Sequence, residues 1–161
     1  MTNISQIYHC SAETALYYVR LKTHGGQNLF EPQKNLPAEY SETSVFVSSH
    51  AKIVADELLL SAADHEGILL DQWAIVPDAL HALICLQDYH NNRVTVGKPR
   101  LLTSFIAEFK AVTAKRINLV RNQPGSPVWQ RSYKEQRMED DLMLSRLRKR
   151  ISGTDGIVIS G

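Results

Sequence analysis

Apolar residues recur with two different periods along this chain, and each change of period marks a new element. Residues 14–23 alternate: Tyr17, Val19, Leu21 and Thr23 form one face, and Tyr18, Arg20 and Lys22 the other, as in a strand. His24-Gly25-Gly26 ends it, and residues 25–43, with Pro32 and Pro37, read as a loop. Val45-Phe46-Val47 is expected as a short strand. Ser48 or Ser49 then caps a helix running to about Ala63, whose stripe is Ala51, Val54, Ala55, Leu58, Leu59 and Ala62. Residues 68–76 and 79–87 read as two apolar strands joined at Pro77-Asp78, where Pro fixes φ and Asp tolerates a turn. On the second of these strands Leu80, Ala82, Ile84 and Leu86 form an apolar face that should meet helices. Ala79, His81, Leu83 and Cys85 point the other way.

Residues 88–97 are polar and read as an exposed loop. Residues 99–121 form the longest helix, with Pro99 in its first turn and a stripe of Leu102, Phe105, Ile106, Phe109, Val112, Ile117 and Val120. Thr113 lies within that stripe and can bond its hydroxyl back to a carbonyl one turn earlier. Gly125 is available for positive φ in the following turn, and residues 128–133 are expected as a fourth strand. Glu139-Asp140-Asp141 opens a last helix and Arg148-Lys149-Arg150 closes it, both suited to the helix dipole. Leu144, Leu147 and Ile151 face the core, and Gly153 ends the helix before an apolar tail, Ile157-Val158-Ile159.

The order strand, helix, strand, strand, helix, strand, helix predicts an α+β fold. A ferredoxin-like antiparallel sheet satisfies it, with helices on one face, the other face open, and an extra C-terminal helix. At 161 residues a single domain over 1–161 is expected. Apolar residues make up 43% and the net charge is +1, so nucleic-acid binding would have to come from local patches. Cys10 and Cys85 fit neither a disulfide framework nor a zinc pattern. The first residues lack a signal-peptide pattern and no run is long enough to span a membrane, so a cytoplasmic protein without a membrane partner is expected.

Three groups carry candidate chemistry. His81 is either a half-buried, hydrogen-bonded histidine or a ligand. Tyr18, Arg20 and Lys22 interleave an aromatic with two cations, which suits stacking on bases and pairing with phosphates, and equally suits a solvated strand face. On the long helix Lys110 and Arg121 share one edge of the stripe and Lys115 points outward. Arg116 falls near the stripe, where a cation needs a phosphate or a carboxylate such as Glu108 or Glu135.

Val76 to Ile84, Val-Pro-Asp-Ala-Leu-His-Ala-Leu-Ile, resembles the Met-Pro-Asn-His-x-His-x-Leu-Ile signature of the HUH single-tyrosine transposases, which include the REP-associated tyrosine transposases. A second stretch carries the resemblance further. Phe109-Lys110 and Lys115-Arg116-Ile117-Asn118 are similar to that family's helix, and Pro127-Val128-Trp129-Gln130-Arg131-Ser132-Tyr133 to its Pro-Val-Trp-Gln-Arg-x-Tyr strand. The resemblance implies a ferredoxin-like fold acting on single-stranded DNA at hairpins, with Mg or Mn held by two histidines and an asparagine. It also implies a helical tyrosine that becomes joined to the DNA.

At those positions this chain differs. His81 matches the second histidine, but Ala79 stands at the first, Thr154 at the asparagine and Arg150 at the nucleophile. Guanidinium stays protonated and is no nucleophile at neutral pH. Losing a nucleophile that acts within a unit costs about 10⁶ in rate, or about 8 kcal/mol. Three functions follow as expectations. One is a single-stranded or hairpin DNA-binding protein, possible as a homodimer, that needs no cofactor and uses Tyr18, Arg20, Lys22, Lys110, Lys115, Arg116 and Arg121. Another is an active enzyme with Tyr133 as nucleophile, and His81, Glu135 and Asp78 holding Mg or Mn. The third is a decayed remnant. Whether the chain is an enzyme stays open at this point.

Overall fold

The computed structural model describes residues 14–31, 48–87 and 100–153. The expected strand at 45–47, the loop at 88–97, most of that at 25–43, Pro99, Thr154 and the tail at 157–159 lie outside them. In chain order the elements are β1 (Ala15–Lys22), α1 (Ser49–Asp64), β2 (Ile68–Val76), β3 (Ala79–Leu86), α2 (Arg100–Val120), β4 (Lys134–Arg137) and α3 (Asp141–Ser152), with a short 3-10 turn at His24–Gly26. The four strands form one sheet in the order β2-β3-β1-β4, and every pairing is antiparallel. This is the ferredoxin-like α+β arrangement with an added C-terminal helix.

Local chemistry sets the helix ends. The Ser48 hydroxyl accepts from the Ala51 amide at 3.0 Å, and the Asp140 carboxylate from the Met143 amide at 2.7 Å. Gly125, in the turn after α2, has φ of +79°. The two faces of β3 divide as its alternation predicts. Leu80, Ala82, Ile84 and Leu86 join the core beneath α1 and α2, with Phe105, Phe109 and Trp129. Leu83 and Cys85 lie on the other side.

That other side is not open. Leu144, Leu147 and Ile151 of α3 pack on it against Leu16, Tyr18, Ala74, Leu83, Cys85 and Met138, forming a second core. Arg148 anchors α3 by donating twice to the Asp71 carboxylate, at 2.6 and 3.1 Å. Asp71 falls where the β2–β3 register shifts between Leu70 and Trp73, a bulge that re-aims side chains.

The fourth strand is displaced from its expected place. Residues 128–133 contribute only one bridge, between Trp129 and Thr23. Val128 and Trp129 are apolar because they pack under α2, where the Trp129 indole donates to the Thr113 hydroxyl at 2.8 Å. Thr113 in turn donates to the Phe109 carbonyl at 2.8 Å. The paired strand, Lys134–Arg137, is polar because it is an edge strand with mostly exposed side chains. Leu59, Val112 and Val120 are exposed, since they lie beside the contact stripes and not within them. Ile53 and Asn118 are buried instead. Asn118 satisfies its amide by donating to the Ser126 carbonyl and accepting from Arg121.

Candidate functional site

The β2–β3 turn and the pairing of β3 with β1 set the surroundings of His81. Arg20 is its partner in the register, and Lys134 of β4 is the partner of Arg20. Paired residues share a face, so Lys134, Arg20 and His81 form a row across three strands on the α3 side. One row along, the Tyr18 hydroxyl meets His81 Nδ1 at 2.6 Å, with the two rings stacked at 6.0 Å and 21°. Lys134 Nζ lies 5.8 Å from the centre of the Tyr18 ring.

Tyr18 is therefore not a stacking platform: α3 covers it and only 6% of its surface remains exposed. Burial raises its pKa, and the positive charges of Arg20 and Arg150 partly offset that. His81 is shifted down, by burial first and then by Arg20 and Arg150, against a smaller pull upward from Asp78. At neutral pH the imidazole is uncharged. The Tyr18 hydroxyl and the Nδ1 of that neutral ring share one hydrogen bond.

Helix α3 brings further cations to this face. Arg146, Lys149 and Arg150 are spaced i, i+3, i+4 and share one side of the helix. Two clefts flank that side. One of 420 Å³ is lined by His81, Tyr18, Leu147, Lys149, Arg150 and Ile151. The other, of 310 Å³, has Lys134, Arg146 and Asp140 among its lining residues. Tyr18, Leu147 and Arg150 line both, so Arg150 stands between them.

The expected residues thus divide in two. Arg20, Lys22, His81 and Arg150 come together on the α3 face. The cations of α2 belong to the opposite side and are largely engaged. Lys110 donates to the Gln130 and Arg131 carbonyls at 2.6 and 3.1 Å, and burial lowers its pKa. Arg121 bonds Asn118 and the Pro127 carbonyl. Arg116 pairs with Glu57 of α1 at 2.6 Å, and neither Glu108 nor Glu135 is its partner. Lys115 is exposed on that same helix.

The alternative site around Tyr133 is not assembled. Tyr133 packs against the α1–α2 core, bonds Thr103 and lies 6.0 Å from Lys110 Nζ. Burial and Glu135 raise its pKa, which leaves the phenol protonated at neutral pH. Glu135 is paired with Val19, whose side chain joins that same core, so strand alternation sends Glu135 away from His81.

Nor do the residues present fit a divalent metal. Ala79 offers a methyl group, His81 Nδ1 is taken by Tyr18, and the cations Arg20 and Arg150 act on His81 more strongly than the one carboxylate, Asp78. Among the described residues no three His, Cys, Asp or Glu gather as a metal site would require.

Lys134, Arg146 and Lys149 were not among the residues expected to bind DNA. The i, i+3, i+4 spacing was their signal, and it acquires meaning only once α3 is placed on this face. No helix among the described residues is long and apolar enough to cross a membrane.

No protein-family model matches the sequence, and no curated protein matches it. Among solved structures, the chain is similar to a REP-associated tyrosine transposase bound to a REP hairpin. The TM-score is 0.52 at 13% identity, over 89% of this chain and 67% of that one. It also aligns with a candidate transposase from Deinococcus radiodurans R1, at TM-score 0.49 and 16% identity, over 89% of this chain and 93% of the other. The first likeness establishes the fold that the sequence resemblance implied.

Proposed function

We propose that this chain is a single-stranded or hairpin DNA-binding protein, built on the transposase fold and lacking its strand-cleaving chemistry. One observation carries the reading. Arg20, Lys22, Lys134, Arg146, Lys149 and Arg150 converge from β1, β4 and α3 on the face around His81. None of the six holds an ion pair among the described residues. Cations without carboxylate partners are kept available for phosphates. A nucleophile and metal would need a hydroxyl and two further ligands here, and Arg150 and Ala79 supply neither. The hairpin bound by the REP-associated transposase of the same fold makes a DNA hairpin the first ligand to try.

The test is a salt titration of binding to a hairpin oligonucleotide with a single-stranded foot. Six phosphate contacts on single-stranded DNA give a slope of log K against log salt of about −4, at ~0.7 per contact. Lys134→Ala and Arg146→Ala should each reduce the slope by ~0.7, whereas Arg116→Ala and Lys110→Ala should not. The reverse pattern would place the DNA on α2.

A further inference from the structure

The cleft at the C-terminal end of α3 has a chemical polarity of its own. Leu147 and Ile151 give it an apolar wall, Lys149 and Arg150 a cationic rim, and His81 with Tyr18 its floor. Among the described residues no carboxylate lines it, whereas Asp140 lines the neighbouring cleft and Asp78 acts on His81 more weakly than the cations do. Arg20, the register partner of His81, adds a third positive charge nearby. Its 420 Å³ lies in the range of small-ligand pockets, which are mostly apolar with a few polar groups fixing orientation.

The end of a DNA strand can supply an anion to match that rim. An internal phosphodiester carries one charge, but a terminal phosphate monoester carries about −1.5 to −2 at pH 7. Three cations, Lys149, Arg150 and Arg20, against the weaker influence of Asp78, favour the more highly charged group. We propose that this cleft seats the end of a DNA strand, its terminal phosphate monoester between Lys149 and Arg150. The inference rests on the DNA-binding reading above and specifies which part of the DNA enters the cleft.

The experiment uses one hairpin sequence with an unpaired overhang, ending in hydroxyls, in a 5′-phosphate or in a 3′-phosphate, followed by fluorescence anisotropy. One of the phosphorylated forms should bind about tenfold tighter than the hydroxyl form, the scale of one good charge-assisted contact. Lys149→Gln and Arg150→Gln should each remove most of that ratio. Both side chains are exposed, so unchanged melting curves will show that the fold survives. Lys52→Gln, on the far side in α1, should leave the ratio intact. Equal affinity for all three oligonucleotides, or a phosphate preference kept in both variants, overturns the inference while hairpin binding itself stands. Failure to bind any of the three at low salt overturns the DNA-binding reading as well.

Discussion

The Arg148–Asp71 pair should decide whether α3, and with it half of the cationic face, stays on the sheet. The two side chains are unequally buried: Asp71 is 5% exposed and Arg148 22%. Removing Arg148 leaves a buried carboxylate without its two donors, so Arg148→Ala should cost about 3 kcal/mol, the lower end for a broken buried pair. Removing Asp71 leaves a guanidinium that can swing toward water, so Asp71→Ala should cost less, about 1–2 kcal/mol. The double variant should cost about 2 kcal/mol, giving a coupling energy of about 2–3 kcal/mol. Urea unfolding of the four proteins measures all three quantities. In a chain of 161 residues, 3 kcal/mol corresponds to a melting temperature lower by roughly 6–12 °C. Both single variants should also weaken hairpin binding, because Arg146, Lys149 and Arg150 ride on α3. Additive single-variant losses would refute the clamp, as would Asp71→Ala being the costlier change.

Other outcomes follow from the two cores and from His81. Phe109, on the inner face of α2, is fully buried, so Phe109→Ala should cost about 3–5 kcal/mol by urea unfolding; a loss under about 1 would mean that α2 packs by another face. Thr113→Val removes the acceptor of the Trp129 indole and should cost about 1–3 kcal/mol, with a change in Trp emission. The folded-state pKa of His81 lies below the ordinary ~6.5, so below that pH the unfolded chain holds the extra proton. Stability should therefore fall as pH drops below ~6.5 and stop falling beneath the folded value. His81→Gln should lose that part of the slope in melts at several pH values, and equal slopes would contradict the assignment.

The strands of the hairpin and the three helices were legible because their apolar residues keep a period that backbone geometry imposes. What stayed hidden lay where one residue answers to two elements. Val128 and Trp129 look like strand residues but serve the underside of α2, while the true edge strand at 134–137 is polar and carries no period. The apolar stripe of α3 shows which side of the helix is buried but not which face of the sheet receives it. A signal for that was present: Leu16, Tyr18, Ala74, Leu83 and Cys85 form an uncharged set on the face expected to be open. Within the site, His81, Arg20, Lys22 and Arg150 could be named from alternation and from the family resemblance. Lys134, Arg146 and Lys149 could not, because their convergence depends on α3 being laid on this face of the sheet. Arg116 near the stripe signals a cation in need of a partner, but not which one: Glu57, from a helix 59 residues away, takes the place expected for a phosphate, Glu108 or Glu135.

On the reading proposed above, the α3 face holds DNA and does not cut it. Mixing purified protein with an end-labelled hairpin oligonucleotide, with Mg²⁺ or Mn²⁺, and dividing the sample between a native and a denaturing gel tests both halves at once. A retarded complex is expected on the native gel, and intact, protein-free DNA on the denaturing one. A shortened strand or a covalent protein–DNA adduct on the denaturing gel would contradict that reading, as would the absence of any complex at low salt.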